Sequence, residues 1–426
     1  MAFSPRRAGV PLIRSTGRLT ARGQAAVAAQ RFAAASSRAL RRGSGEVVGG
    51  RAALRIHPGL VKELAAGRRI ATVSGTNGKT TTTRLLARAV GTGGPVATNA
   101  GGANMTPGVV TALAGTPFPA PGVLEVDEIY LPRVAPSLDP VAVLLLNITR
   151  DQLDRSNETR RIAALWRRLG GALPNTTAVA NVDDPLVVWA ALGFTRQVWV
   201  GAGQKWLLDA TVCPACGQLL VRHPPDWSCA GCGLTRPTPA IAAQALDRIV
   251  VEGDTYQVDL ALPGLVNTGN AAMAVAGARE LGVAAPAALA AMRSVRDVQG
   301  RYREVALGGR TARLLLAKNP AGWLEMLELL ETTAPRPMVI HFHARVADGR
   351  DPSWLWDVPL ERLAGREVHI SGERAEDVGV RLAYAGVPFR THQSPGEAAA
   401  ACGAASIDVL ATYTAFRELL LLTGGA

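Results

Sequence analysis

Arg69-Ile70-Ala71-Thr72-Val73-Ser74-Gly75-Thr76-Asn77-Gly78-Lys79-Thr80-Thr81-Thr82-Thr83 is the stretch on which the rest of the chain is organised. A short apolar run rich in β-branched residues, Ile70 to Val73, enters a glycine turn, and Arg84-Leu85-Leu86-Ala87-Arg88-Ala89-Val90 behind Lys79-Thr80 reads as a helix. The pattern is strand, phosphate-cradling loop, helix. Gly75 and Gly78 let backbone N–H groups close around phosphate oxygens, with Thr76, Asn77 and Thr81 beside them, and the helix N-terminus adds positive potential. Lys79 is placed to reach the outer phosphates and the Thr80 hydroxyl to ligate Mg²⁺, so the expected ligand is ATP. Val73 stands where the common eight-residue loop has its first glycine, which leaves the shorter Gly-Thr-Asn-Gly-Lys-Thr.

The 426 residues, 48% of them apolar, suffice for two or three domains. No apolar run approaches the ~18 residues of a membrane span, and no secretory signal stands near the start, so a cytoplasmic protein is expected. The net charge of +12 is carried almost wholly by arginine, the lysines being Lys62, Lys79, Lys205 and Lys318. Guanidinium and ammonium are not interchangeable at a compact phosphate site, which singles out Lys318 after Lys79; Lys62 and Lys205 read as surface residues. Residues 1–45 hold nine arginines and no Asp or Glu, and 22–42 reads as a basic amphipathic helix that packs on the body or lies on an anionic membrane surface.

Past the loop, Pro95 to Asn99, Gly122 to Glu128 and Val141 to Asn147 read as strands separated by helical stretches, which argues for a mostly parallel sheet with the site at its C-terminal edge. Glu125 is expected to face the Mg²⁺ held by Thr80, because a hard cation beside phosphates takes one or two carboxylates. Farther on, Cys213-Pro214-Ala215-Cys216 and Cys229-Ala230-Gly231-Cys232 are separated by twelve residues, each knuckle followed by a glycine, Gly217 or Gly233. Two such knuckles hold four thiolates around one tetrahedral Zn²⁺, a closed structural site without an open position for substrate. Cys402 is read as a small buried apolar residue.

Beyond residue 304 a second α/β unit begins, with Arg313 to Ala317 as a strand leading into Lys318-Asn319-Pro320. The loop Ala347-Asp348-Gly349-Arg350-Asp351-Pro352-Ser353-Trp354-Leu355-Trp356-Asp357 packs three carboxylates and two tryptophans into eleven residues. That composition fits an ordinary surface loop poorly.

In combination these motifs resemble the Mur ligase family. Gly-Thr-Asn-Gly-Lys-Thr and the strand-end Glu125 are followed by Asn147-x-x-x-Asp151-x-x-Asp154 and Ala180-Asn181-Val182-Asp183-Asp184-Pro185, as in the family's central domain. Asp151-Gln152-Leu153-Asp154 replaces the usual Asp-His-Leu-Asp and is typical of the MurT branch, as are Lys318-Asn319-Pro320-Ala321-Gly322 and the Trp-rich acidic loop. His343 and Ala344 depart from that branch, many of whose members carry Asn-Asp there. The resemblance implies that Asn267 and Asn270 contact adenine, that Arg301 reaches ATP phosphates, and that Asn181 and Asp183 shape the nucleotide site, Asp184 serving equally well as a turn and cap.

The implied fold is α/β. A Mur ligase-like central P-loop ATPase domain (49–304) with a parallel sheet and an inserted four-cysteine zinc ribbon (210–236) follows a basic segment (1–48) and precedes a smaller Rossmann-like C-terminal domain (305–426). The implied activity is that of the synthetase subunit of lipid II isoglutaminyl synthase in peptidoglycan synthesis: ATP activates the α-carboxylate of D-glutamate in the lipid II stem peptide as an acyl phosphate, and ammonia converts it to D-isoglutamine. Ammonia is expected from a separate GatD-type glutaminase, whose catalytic histidine an aspartate of this chain, Asp348 or Asp351, would orient. Lys318 would act on the γ-phosphate or acyl phosphate. A stand-alone amino-acid-adding ligase or folylpolyglutamate-type synthetase would explain the loop but neither the knuckles nor the acidic loop. A zinc-ribbon ATPase binding nucleic acid is a further reading, but Leu219 to Pro225 lacks basic and aromatic interleaving.

Overall fold

The computed structural model describes residues 19–40, 44–99, 101–150, 159–296 and 302–424. Arg301 and the run Asp151-Gln152-Leu153-Asp154 lie outside the described residues. Among the described residues, eleven strands occupy the first part of the chain: β1 (Ile70–Ser74), β2 (Ala97–Thr98), β3 (Gly122–Glu125), β4 (Ala142–Leu145), β5 (Thr177–Asn181), β6 (Arg196–Gly201), β7 (Val221–His223), β8 (Asp226–Ser228), β9 (Ile241–Ala245), β10 (Arg248–Val251) and β11 (Asp254–Gln257). Nine of them form one sheet in the order β11-β10-β9-β6-β5-β4-β1-β3-β2, parallel from β2 to β9 and antiparallel beyond. The central strands β1, β3, β4 and β5 are buried at every position. That is why they read as continuous apolar runs: both sheet faces are covered by helices. Helices Lys79–Val90 and Leu265–Glu280 close one face around Leu85, Leu86 and Ala271, and Leu60, Val109, Leu131 and Trp166 fill the other.

The basic helix predicted over 22–42 runs from Ala21 to Ala39, with the Thr20 hydroxyl accepting the Gly23 N–H at 3.1 Å as its cap. It packs on the body, its Ala26 and Val27 joining the same core as Trp166, and leaves Phe32 and Leu40 exposed. The next helix, Glu46–Ile56, fits closely because a side chain at Gly50 would lie 2.0 Å from the Pro107 carbonyl oxygen. Among the described residues no helix is long and apolar enough to cross a membrane.

The second sheet is built from β12 (Glu304–Leu307), β13 (Arg310–Leu316), β14 (Met338–His341), β15 (Val368–Ser371), β16 (Phe389–Thr391) and β17 (Ser406–Ala411), in the order β12-β13-β17-β14-β15-β16. All neighbours are parallel except β12 with β13. Helix Pro320–Glu331 packs Trp323 and Leu327 on one face, and the last helix, Tyr413–Leu422, packs Phe416 and Leu419 on the other.

Asp184 proves to be a cap. Its carboxylate accepts the N–H groups of Leu186 at 2.9 Å and Val187 at 3.4 Å at the start of helix Pro185–Ala191, and its other oxygen takes Ile148 N–H at 2.8 Å, tying the loop after β4 to that helix. Burial pushes its carboxyl up to about 6, against the pull of those three donors. Unfolded aspartates titrate near ~3.9, so the native state binds this proton more tightly: the ionised carboxylate lowers stability above about pH 6, and the penalty fades as pH falls towards about 4. Relative to wild type, Asp184→Asn should therefore gain stability as pH rises from about 4 to about 6, by on the order of 3 kcal/mol. Denaturant midpoints of the two proteins across that range check it, and parallel curves would refute it.

Candidate functional site

The loop Gly75–Gly78 leaves β1 and turns into helix Lys79–Val90 with φ of +148° at Gly75 and +81° at Gly78. Only glycine suits it: a Cβ on Gly75 would lie 2.7 Å from Leu146 Cβ, and one on Gly78 2.5 Å from Asn270 Oδ1. The loop is stapled to the segment after β4. Thr76 N–H donates to the Asn147 carbonyl at 3.0 Å, Asn77 N–H to Asn147 Oδ1 at 2.8 Å, and Thr149 N–H to Thr76 Oγ1 at 3.0 Å.

Lys79 is buried, and its ammonium donates to the carbonyls of Gly75 and Thr76 and to Glu128 Oε2 at 3.2 Å. Glu128 was not singled out in the sequence; its signal was the cluster of acids at the end of β3. Asp127, next to it, has its carboxyl raised by burial and by the Glu128 charge, while Lys79 and Lys318 pull it down. Lys318 thus acts electrostatically on the same acidic edge as Lys79, although Lys79 opens a helix of the first unit and Lys318 follows the strand that ends at Leu316 in the second.

Glu125 stands opposite Val73 in the β1–β3 register, at the edge where the loop begins. It is 2% exposed; Oε1 accepts the Asn104 amide at 3.3 Å, and Oε2 is buried without a hydrogen-bond partner. A lone carboxylate oxygen buried beside a phosphate loop, with the buried Thr80 and Thr81 at the helix start, is a donor set that fits a hard divalent cation and the phosphates it accompanies.

Asn267 is buried and donates to the Pro263 carbonyl at 2.6 Å and towards Tyr302 OH at 3.5 Å. Asn270 accepts from Thr82 Oγ1 at 3.2 Å and leans on Gly78, so it meets the phosphate loop directly. Asn181 donates to the Leu146 carbonyl and Gln204 Oε1, both at 2.9 Å. Asp183, expected beside it, turns instead to Arg236, at 2.9 and 3.1 Å, and to the N–H groups of Gly203 and Gln204. It anchors the cysteine insertion.

The two α/β units meet over the loop. Asn77 and Asn319 exchange side-chain amide hydrogen bonds at 3.1 and 3.2 Å, while Asn319 also caps helix Pro320–Glu331 through Gly322 N–H at 2.9 Å. Lys205, read as a surface residue, spans this junction to Glu328 at 2.9 Å. A cleft of about 460 Å³ lies here, lined by Asn77, Asn147, Asn181, Asn270 and Lys205 on one side and Leu324 on the other.

The three aspartates of the acidic loop are placed differently. Asp348 is buried, its two oxygens taken by Arg345 N–H at 3.1 Å and Thr414 N–H at 2.8 Å. Asp357 pairs with Arg150 of the first unit at 3.0 Å. Asp351 is exposed and uses one oxygen to accept Ser353 N–H at 2.9 Å. Trp354 holds the loop down against Trp323 and Phe342 at centroid distances of 6.5 and 5.7 Å, whereas Trp356 remains 55% exposed.

The four cysteines of the insertion converge, their sulfurs all within 4.8 Å, with Cys213–Cys232 at 3.6 Å and Cys216–Cys229 at 3.4 Å. Four thiolates at ~2.3 Å from one tetrahedral ion stand ~3.8 Å apart, so the set fits Zn²⁺. Gly217 and Gly233 take the positive φ, +80° and +75°, that each knuckle requires. The hairpin β7–β8 docks through Trp227, whose indole donates to the Val182 carbonyl at 2.9 Å. Cys402 is buried beyond the helix Pro395–Ala400, its thiol pushed up to about 11 by burial, which makes it a poor nucleophile.

Two family models match this chain: the Mur ligase middle domain over residues 73–206 and the MurT ligase C-terminal domain over residues 316–416. Over 421 residues the chain is 31% identical to the MurT subunit of the lipid II isoglutaminyl synthase (glutamine-hydrolyzing) of Streptococcus pneumoniae, covering 89% of this chain and 93% of that one. The corresponding Staphylococcus aureus subunit is 29% identical over 74% of this chain and 77% of its own. Among solved structures, a pseudomurein peptide ligase type C from Methanothermus fervidus shares the fold with a TM-score of 0.65 at 18% identity, over 84% of this chain and 78% of that one. With both family models matched in order and a relative aligned nearly end to end, the chain belongs to the Mur ligase family, in its MurT branch.

Proposed function

We propose that this chain is the synthetase subunit of a two-subunit, ATP-dependent amidotransferase acting on lipid II. It would convert the α-carboxylate of D-glutamate in the stem peptide to the amide through an acyl phosphate, with ammonia from a GatD-type glutaminase, at the cytoplasmic face of the membrane. The observation that carries this reading is the Asn77–Asn319 pair, which joins the phosphate loop of the first unit to the second unit at the residue after Lys318. A carboxylate activated in a cleft between two such units is shielded from water while it waits for its nucleophile.

Each residue has a part in this reading. Lys79, the loop N–H groups and Thr80 would hold the phosphates, and Glu125 with Thr80 the Mg²⁺, which supplies charge neutralisation during phosphoryl transfer. Asn267 and Asn270 would border the adenine end and Arg301 would reach the phosphates. Lys318 would meet the charge that develops on the transferred group. Cys213, Cys216, Cys229 and Cys232 would hold a structural Zn²⁺. The domain limits 49–304 and 305–426 belong to this proposal; the second sheet begins at Glu304, and the helix Glu46–Ile56 runs across the limit at 48.

For the partner, the observations favour Asp351 over Asp348. A residue that orients another protein's histidine must present a carboxylate oxygen at the surface, and both Asp348 oxygens are spent on backbone N–H groups inside the fold. No thiol among the described residues is set as a nucleophile, which supports an ammonia supply from elsewhere.

The deciding experiment is co-purification with a GatD-type glutaminase, then mass spectrometry of lipid II incubated with ATP, Mg²⁺ and glutamine. Conversion of one carboxylate to an amide is expected; unchanged lipid II sinks the reading. Lys79→Ala should lower the amidation rate by about 10²-fold or more with either glutamine or ammonium as nitrogen source. Asp351→Asn should abolish the glutamine-driven reaction and keep the ammonium-driven one, whereas equal loss of both would move the partner-facing role elsewhere. Stripping Zn²⁺ with a strong chelator should lower the thermal midpoint and shift Trp fluorescence as Trp227 leaves Val182, and added Zn²⁺ should restore both; no change would remove zinc from the scheme.

A further inference from the structure

The C-terminal edge of the second sheet carries a cluster that the proposed reaction does not use. His341 ends β14 and His343 follows two residues on; both are buried, at 2% and 4% exposure, and Glu418 reaches them from the helix Tyr413–Leu422. His343 Nε2 lies 3.0 Å from Glu418 Oε2, and His341 Nε2 lies 3.7 Å from Glu418 Oε1. One donor atom from each of the three residues falls within 4.8 Å of the others. A second observation points the same way: His341 Nε2 is fully buried and has no hydrogen-bond partner. A buried polar atom without a partner forfeits its hydration for nothing in return.

We infer that His341, His343 and Glu418 form a second metal site, for a divalent transition cation of the Zn²⁺ or Co²⁺ class, separate from the four cysteines. Two imidazoles and one carboxylate suit a borderline ion, not Mg²⁺, which prefers oxygen and keeps its waters. Ligands ~2.0–2.1 Å from a tetrahedral ion stand ~3.3 Å apart, so donor atoms at 3.0 and 3.7 Å need only small side-chain rotations to close on it.

The surrounding groups suit ligand duty. Ser371 Oγ stands 3.0 Å from His341 Nδ1, which leaves Nε2 as the donor towards the ion. On His343, Nδ1 accepts the Glu373 N–H at 3.2 Å, so without a metal the ring proton sits on Nε2 and points at Glu418. Holding an ion through Nε2 would require the ring proton on Nδ1, which faces the Glu373 N–H at 3.2 Å and the Glu373 carboxylate at 3.6 Å. The Glu418 side chain is 38% exposed and marks the way in.

Such an ion would tie the end of β14 to the last helix next to Asp348, which holds the first turn of that helix through Thr414 N–H. It would thereby brace the loop that carries Asp351. The inference does not depend on the proposed reaction.

The test uses the full chain with the cysteine site left intact. Titration with Co²⁺ should give two equivalents: one with the near-ultraviolet sulfur-to-metal charge-transfer band of thiolates, and one with d–d bands only. Glu418→Gln and His343→Asn should weaken the second equivalent at least tenfold and leave the thiolate band and the thermal midpoint of the metal-free protein unchanged. A single Co²⁺ equivalent of purely thiolate character in the wild type overturns the inference without reference to any variant. So does a second equivalent that both variants retain.

Discussion

A buried ammonium governs the phosphate loop. Lys79 is only 9% exposed, and a cation taken out of water must be surrounded by acceptors or it destabilises the fold by several kcal/mol. Here the carbonyls of Gly75 and Thr76 and the Glu128 carboxylate surround it. The loop must therefore wrap back on its own helix, which requires the positive φ at Gly75 and Gly78. The same wrapping packs Gly75 against Leu146 and brings Asn147 and Thr149 to the loop backbone. The acidic residues after β3 and the segment after β4 are thus arranged around one positive charge.

From that loop a contiguous chain of packed groups leads into the second unit. Asn77 grips Asn319, which caps the helix carrying Trp323; Trp323 packs on Trp354, and Trp354 pins the loop that presents Asp351. Arg150 to Asp357 and Lys205 to Glu328 add charged links across the same junction. Both sheets turn their C-terminal strand edges to this region, the usual location of sites in open parallel sheets. An amidotransferase needs its nucleotide end and its nitrogen-accepting end in register, and this layout supplies rigid elements between them.

The cysteine insertion is embedded in the first unit. It enters after β6 and leaves into β9, neighbours in the sheet, and it is locked by Trp227 on Val182 and by Arg236 on Asp183. A mis-set ribbon would disturb the turn that also carries Asp184, hence the loop after β4. That gives the four-cysteine cluster a bearing on the loop after β4, which is hydrogen-bonded to the phosphate loop.

The sequence by itself determined what short-range chemistry can specify. The β-branched run before Gly75, the glycines at positions of positive φ and the two C-x-x-C knuckles each encode a local geometry, so strand, loop, helix and zinc-type cluster were all legible. Scarcity of lysine marked Lys318. Tertiary structure alone decided which groups meet. Glu128 and Glu125 sit three residues apart, yet only the packing of β1 against β3 gives one to Lys79 and leaves the other with a lone buried oxygen. Asp183 reads as a nucleotide-site residue, and the structure adds what its sequence neighbourhood does not show: one oxygen goes to Arg236, 53 positions away, and the other to the N–H groups of Gly203 and Gln204 at the cleft. Asp348, Asp351 and Asp357 are chemically identical in the sequence, and burial, backbone donors from the last helix and an arginine of the other unit separate them. His343 and Glu418 lie 75 positions apart and, with His341, match no local spacing rule, so only the closing of the second sheet by its last helix brings them together. Local motifs are written in backbone geometry over a few residues; long-range pairings depend on the register of strands and helices that the whole core fixes.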